Sequence, residues 1–357
     1  MAYEPVVREV ENFAELFSDI TWLAYLQPAS RHQANARQLS IKASFVLLPK
    51  VGGNTLFDKL KALFHLPYFA WVTVKMIWRH DVIHTRAPSL PAFVAIVASL
   101  FDWTRIYWHK YAGNWIEPHA PFFYRLQRFL MRRAYRSIGS INGKWPDQQK
   151  HLLSMENPCL TIAELEEGKR KASLKRFSEK LTICFVGNLA PFKGVLTLLK
   201  AINMVKDKAA IQKIIIVGDG DQREELEEFA IQAKLPVQFT GYLRRNDIMS
   251  IYASSHIFVL PSRSEGFPKV VAESASFGCI PVVSNVSAID QYIHSWQNGV
   301  VLESISVECL TQVLDQLISG RDVLVKMSQE ALGMAELFTY SRYVERIKNE
   351  ILRIKAT

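Results

Sequence analysis

Pro261-Ser262-Arg263-Ser264-Glu265-Gly266-Phe267-Pro268-Lys269-Val270-Val271-Ala272-Glu273 is the segment around which this chain is organised. Ile257-Phe258-Val259-Leu260, just before it, is a short apolar and partly β-branched run suited to a buried parallel strand. Val270 to Phe277 has helix-compatible composition and stops at Gly278, a natural C-cap. The order is strand, Gly/Pro loop, helix. Doubly wound α/β sheets place ligand chemistry at such strand ends. Glu265 falls in the loop and Glu273 about two turns along the helix. Taken alone, both carboxylates would be solvated, with Glu273 pairing Lys269 at i,i+4.

The pattern P-S-x-x-E-G-F, a second Glu after seven intervening residues, and the closing Gly278, Pro281, Val282 and Val283 resemble the glycosyl transferases group 1 family. The resemblance implies an α/β protein of the GT-B fold. Such a protein has two Rossmann-like domains whose parallel sheets face across a cleft, and a C-terminal helix that crosses back to the first domain. It also implies a retaining, metal-independent transferase that moves a hexose from a nucleotide-diphosphate sugar to a glycan or polyisoprenyl-linked acceptor in cell-surface polysaccharide synthesis. No cofactor is expected beyond the sugar nucleotide.

Transfer from a nucleotide diphosphate needs the leaving diphosphate neutralised while the anomeric carbon becomes cationic. Lys193, in the loop after an apolar strand, can meet a phosphate as a point charge. A helix starting near Pro268 or Lys269 aims backbone N–H groups and a positive dipole end at the same place. Gly266 allows close backbone approach. By resemblance, Glu265 holds donor-sugar hydroxyls, Glu273 holds the ribose, and Gly241 flanks the base together with Tyr242 and Leu243. Phe267 and Pro268 shape the loop. In the first domain, His109 is either a catalytic residue facing the donor phosphates or a core-edge histidine without that role.

The sequence departs from the family pattern in the loop Gly187 to Gly194. There Asn188 stands where an Arg usually helps Lys193 clamp the diphosphate, and Arg263 and Lys269 are the candidate replacements. Ser287 stands where Gly is common. Gly218-Asp219-Gly220-Asp221 contains an Asp-x-Asp but follows a mid-domain strand, so it reads as a turn and not a metal site.

A chain of 357 residues exceeds one ordinary core, which makes two domains the natural expectation. Hydrophobic content of 49% against 22% charged excludes a disordered chain. The four cysteines fit no zinc or redox spacing and read as buried thiols of a reducing compartment. Nothing at the start resembles a signal peptide, and no apolar run is long enough to span a bilayer, so a cytoplasmic protein is expected. Residues 1–160 hold 19 Lys+Arg against 11 Asp+Glu, whereas residues 161–357 hold 24 against 23. The basic half lacks a nucleic-acid motif. Its cations are interleaved with aromatics, which suits peripheral contact with an anionic membrane on the inner face of the plasma membrane.

Along the chain, Tyr3 to Val10 reads as a helix with Pro5 in its first turn, where the family begins with a strand and a Gly-rich loop. Either that strand is absent or it lies upstream of the present start. Strands are expected at Ile20–Leu26, Ser40–Pro49, Asp81–Arg86, Arg105–Trp108, Ser137–Ile141 and Cys159–Ala163. Leu56–Trp78 reads as a long aromatic-rich helical stretch, either continuous or broken at Pro67. Phe122–Arg136 reads as a basic amphipathic helix that either packs on the sheet, the commoner case, or lies on a membrane. The expected domains are 1–163 and 181–337, joined by a charged linker at 164–180 and followed by a crossing helix at 338–357. The second domain should contain six strands, at Leu181–Val186, Lys213–Val217, Val237–Thr240, Ile257–Leu260, Ile280–Ser284 and Val300–Leu302. Two rival functions use the same residues. One is a degenerate partner subunit that binds without turnover. The other is a sugar-nucleotide epimerase, which would need further acid–base groups in the first domain.

Overall fold

The computed structural model describes residues 2–26, 36–51 and 56–353. They divide into two units, Asn157–Arg342 and a second made of Met1–Glu156 together with Tyr343–Thr357.

The N-terminal unit runs β1 (Ala2–Tyr3), α1 (Glu4–Phe13), β2 (Thr21–Tyr25), β3 (Ala36–Arg37), β4 (Ser44–Leu48), α2 (Leu56–Ile77), β5 (Val82–Ala87), α3 (Leu90–Ser99), β6 (Ile106–Tyr111), α4 (Phe122–Arg133), β7 (Ile138–Ile141) and β8 (Leu152–Ser154). Strands β5-β6-β7-β8 form a parallel sheet, β2 pairs with β4 in parallel, and β1 pairs with β3 antiparallel. The opening segment is the expected helix with Pro in its first turn. Helix α2 runs through Pro67, the continuous of the two alternatives.

The other unit runs α5 (Ile162–Ala172), β9 (Leu181–Val186), α6 (Val195–Met204), β10 (Ile211–Val217), α7 (Arg223–Gln232), β11 (Val237–Gly241), α8 (Arg245–Ser254), β12 (Ile257–Leu260), α9 (Lys269–Ser276), β13 (Ile280–Ser284), β14 (Val300–Leu302), α10 (Val307–Ser319) and α11 (Arg321–Ala335). Its sheet is parallel throughout, in the order β11-β10-β9-β12-β13-β14. That is the Rossmann arrangement. All six expected strands are present, and β9, β12 and β13 are apolar runs buried at every residue, as a sheet covered on both faces requires. One continuous core joins the sheet to the helices on both faces.

Two boundary expectations are corrected. Cys159–Ala163 is not a strand of the first domain. It belongs to the second unit, where Leu160 makes a lone parallel bridge to Thr339. The stretch 164–180 is not a linker, because most of it is α5 and the turn that follows. Thr161 and Glu164 form a reciprocal capping box that starts α5, and Leu165 is buried while the charges lie along the exposed face. A dense charge run was thus a solvated helix face.

Helix α12 (Tyr340–Arg346) carries the chain back into the N-terminal unit, followed by a π-helical turn at Ile347–Leu352. Residues 354–357 of the expected crossing helix lie outside the described residues. Tyr343, Ile347 and Ile351 recur at helical spacing and pack with Phe13, Trp108 and Ile138. Arg346 donates to Glu156, Glu350 and the Ser154 carbonyl. Beside this cluster, the buried Glu9 carboxylate accepts from Lys110 Nζ at 2.6 Å, Tyr343 Oη at 3.0 Å and Arg86 Nη1 at 3.0 Å. One carboxylate therefore ties α1, β5, β6 and α12 together.

Removing one partner of a buried ion pair costs about 3–5 kcal/mol. Glu9→Gln should accordingly lower the stability of the N-terminal unit by that amount in urea unfolding. A loss below about 1 kcal/mol would mean that the cations do not depend on it.

Candidate active site

From β9 the chain steps outward through β10 to β11, then returns to the other side of β9 for β12, β13 and β14. The carboxyl ends of β9 and β12 therefore flank the point where strand order reverses, the place where open α/β sheets bind ligands. Residues 187–194 form one loop and 261–268 the other.

Backbone contacts hold the two loops together. Arg263 N donates to Phe192 O at 2.8 Å. Gly194 has φ +74°, and a Cβ there would lie 2.4 Å from Pro261 O, so glycine is needed for both conformation and clearance. Between these contacts, Lys193 Nζ donates to Glu265 Oε1 at 2.5 Å, with side chains 17% and 11% exposed. The pair links residues 72 positions apart. The neighbouring strand ends are joined in the same way. Gly187 N donates to Val217 O, and Gly218 N donates to Gly241 O at 2.9 Å. A Cβ on Gly218 would sit 1.8 Å from Gly187 O. The Asp-x-Asp segment is a turn in which Asp219 accepts from Gly220 N and pairs with Arg223.

Helix α9 begins directly after the second loop, with Pro268 as N-cap and no capping side chain. Its positive end faces the loop that carries Glu265. Phe267 and Pro268 are buried, and Phe267 stacks on Phe338 at 4.7 Å and meets Tyr292 edge-on at 5.2 Å. They anchor the loop from inside the core and do not line its surface. Gly266 and Gly241 are half-buried, Gly241 with φ +70°, whereas Arg263 and Asn188 are exposed. Asn188 lies against Gly220, and Lys269 is half-buried. Ser287 has φ +54°, a left-handed conformation that explains why glycine suits this position.

Glu273, on α9, reaches a cation carried by another helix. Its Oε1 accepts from Arg245 Nη1 at 2.6 Å, and the Glu273 side chain is 10% exposed. Arg245, the first residue of α8, also donates through Nε to Glu164 Oε1 and through Nη2 to Cys159 O, each at 2.7 Å. Sequence reasoning missed Arg245, because no local pattern connects it to Glu273.

His109 is corrected outright. It is a residue within β6, not in the loop after it, and is fully buried. Nδ1 lies 2.8 Å from Thr85 Oγ1 and Nε2 lies 3.1 Å from Ser99 Oγ, so both ring nitrogens are engaged internally. A ligand could reach it only through the core. Burial, with His84 nearby, lowers its pKa to about 3. Burial lowers His84 to about 4, opposed by Glu9 and reinforced by Lys110 and Arg86.

Residues 166–334 match the model of the family described as Glycosyl transferases group 1. A Haemophilus influenzae protein described as an uncharacterized glycosyltransferase is 30% identical over 207 residues, covering 57% of this chain and 56% of that protein. The UDP-Gal:alpha-D-GlcNAc-diphosphoundecaprenol alpha-1,3-galactosyltransferase of Escherichia coli is 28% identical over 198 residues, covering 54% of this chain and 49% of the enzyme. The chain thus spans about half the length of the curated relatives it matches. Anabaena Alr3699/HepE, solved in complex with UDP and glucose, superposes with a TM-score of 0.71 at 15% identity, covering 98% of this chain and 95% of that one. That likeness shows the fold, GT-B, alone.

His84 and His109 are neutral in the fold but have pKa values near 6.5 when unfolded. Their contribution is complete above pH 6.5 and is lost as pH falls toward 4, because the unfolded chain then binds more protons. Stability from urea titrations should fall between pH 6.5 and 4 by up to ~1.4 kcal/mol per pH unit for each histidine. A flat profile over that range would contradict the buried, neutral assignment.

Proposed function

With residues 166–334 belonging to the glycosyl transferases group 1 family, we propose that this protein is a retaining glycosyltransferase that takes a hexose from a nucleotide-diphosphate sugar without a metal ion. The observation that carries the proposal is the Lys193–Glu265 pair at the strand-order reversal. An ammonium, the positive end of α9 and a carboxylate meet there in one half-buried place. On donor binding, Lys193 exchanges its carboxylate partner for the leaving diphosphate, and α9 adds its backbone N–H groups. Glu265, released from Lys193, accepts from hydroxyls of the donor sugar. Glu273 accepts from the ribose, and Gly241 with Tyr242 borders the base. Gly187 and Gly266 give the backbone clearance. Arg263, exposed and bonded through its backbone to the Lys193 loop, supplies the second cation where Asn188 cannot.

The acceptor in this reading is a glycan or polyisoprenyl-linked sugar of a cell-surface polysaccharide. The diphosphoundecaprenol acceptor in the name of the E. coli relative supports that class, and the UDP and glucose bound to HepE support the donor class. A second reading, a nucleotide-binding subunit without turnover, is favoured by Asn188 and by the buried His109.

Among the described residues no helix is long and apolar enough to cross a membrane. The N-terminal unit does expose Phe101, Trp103, Phe122, Phe129 and Tyr135, with Arg133 3.7 Å over Phe129 and Arg136 3.8 Å over Trp103. Aromatic rings interleaved with arginines suit an anionic lipid surface, which would bring a lipid-linked acceptor within reach.

Screening UDP-, GDP- and ADP-sugars should find a donor that raises the stability of the chain by about 2.7 kcal/mol at 100 times its Kd. With that donor and a polyisoprenyl-diphosphate sugar, product should form, and Lys193→Ala should lower kcat/KM by about 10²–10³. Stabilisation without product would favour the non-catalytic reading, and no stabilisation by any donor would contradict both. Vesicles containing phosphatidylglycerol should sediment the protein at low salt and release it at 0.5 M salt. Neutral vesicles should do neither. Equal binding to both vesicle types would contradict the electrostatic contact.

A further inference from the structure

Arg245 lies outside the strand-end loops, and nothing in the family pattern quoted above calls for it. Its three donor directions are nevertheless all committed. Nη1 goes to Glu273, Nε to Glu164 and Nη2 to the Cys159 carbonyl, at 2.6, 2.7 and 2.7 Å. A planar guanidinium fixed at three points can neither rotate nor translate without breaking a charge-assisted bond.

Each of its supports is itself anchored. Glu164 uses its other oxygen, Oε2, to accept from Thr161 N at 2.8 Å and Thr161 Oγ1 at 3.2 Å, as part of the capping box of α5. Cys159 N donates to Phe338 O, and Tyr340 N donates to Leu160 O, which fixes the carbonyl on the second side. The chain of contacts runs from the α5 cap through Glu164 and Arg245 to Glu273 on α9, all within one unit. A carboxylate accepts up to about four hydrogen bonds, so the contact with Arg245 is compatible with hydroxyls on the same group.

We propose that Arg245 is a positioning residue that holds the Glu273 carboxylate in the orientation that accepts from the donor's ribose hydroxyls, and so sets the preference for ribonucleotides over deoxyribonucleotides. This rests on the reading of Glu273 as the ribose-contacting group. The pairing is geometric. Arg245 touches Glu273 and has no role at the reacting atoms.

The test measures dissociation constants of the full chain for UDP, GDP and ADP, and then compares the tightest of the three with its 2′-deoxy and 3′-deoxy counterparts. The wild type should prefer the ribonucleotide by about 10–100-fold, the range expected for hydroxyls bonded to a charged group. Arg245→Met should erase most of that preference while leaving deoxynucleotide affinity within about twofold, and Arg245→Lys should restore part of it. Glu164→Gln, which leaves the arginine in place, should reduce the preference by a smaller factor. If Arg245→Met weakens ribo and deoxy forms equally, or changes neither, the positioning role is overturned. If the methionine variant does not fold, the lysine and Glu164→Gln variants decide by the same ratio. Glu273→Gln separates the two layers. Loss of preference there with retention in the Arg245 variants overturns only the inference. Retention in Glu273→Gln overturns the ribose assignment and the inference with it.

Discussion

The Lys193–Glu265 contact depends on one topological fact, that β9 and β12 are neighbours although the chain visits two other strands between them. At such a reversal the loops leaving two neighbouring strand ends border the crevice in which open α/β sheets bind ligands. Both loops then have to approach closely. Gly194 against Pro261 and Arg263 against Phe192 achieve this through the backbone, independent of side-chain chemistry. The ion pair is the consequence. Breaking it in the ligand-free protein would leave two half-buried charges exposed to poor solvation, so a ligand that separates them must itself offer an anion to the ammonium and donors to the carboxylate. A sugar joined to a diphosphate offers both.

The same unit shows a second device of the same kind. Glu273 is as buried as Glu265, but its cation comes from α8 and is braced by α5. Two acidic groups on one loop–helix segment are thus held by separate cations, Lys193 and Arg245. In the N-terminal unit the scheme is inverted, with one buried carboxylate, Glu9, serving two cations and a phenol. There the network fastens the first helix and the last one to the sheet, so its role is structural cohesion.

The second unit was legible because its sheet is buried on both faces. Strands β9 and β12 are then mostly apolar runs closed by Gly187 and Pro261, and the ends of β9, β12, β13 and β14 fall where the apolar runs stop. The N-terminal unit was read less well for the converse reason. In β6, Tyr107, Trp108, His109 and Lys110 are all buried, and polar side chains satisfied by Thr85, Ser99 and Glu9 look like a loop when only the chain is read. The charged stretch after Glu164 looked like a linker because the capping box that makes it a helix is two residues, Thr161 and Glu164, in a run dominated by charge. Long-range pairs had no local signal at all. Arg245 and Glu273 are 28 residues apart, and only packing of α8 beside α9 brings them together.

The central claim is that the pair at the reversal is the donor-phosphate site and opens to receive it. A crystal structure of the protein with a nucleoside diphosphate bound tests this most directly. The account predicts the terminal phosphate on Lys193 Nζ and at the first turn of α9, with Glu265 no longer bonded to Lys193. A nucleotide bound elsewhere, with the Lys193–Glu265 contact intact, would contradict it.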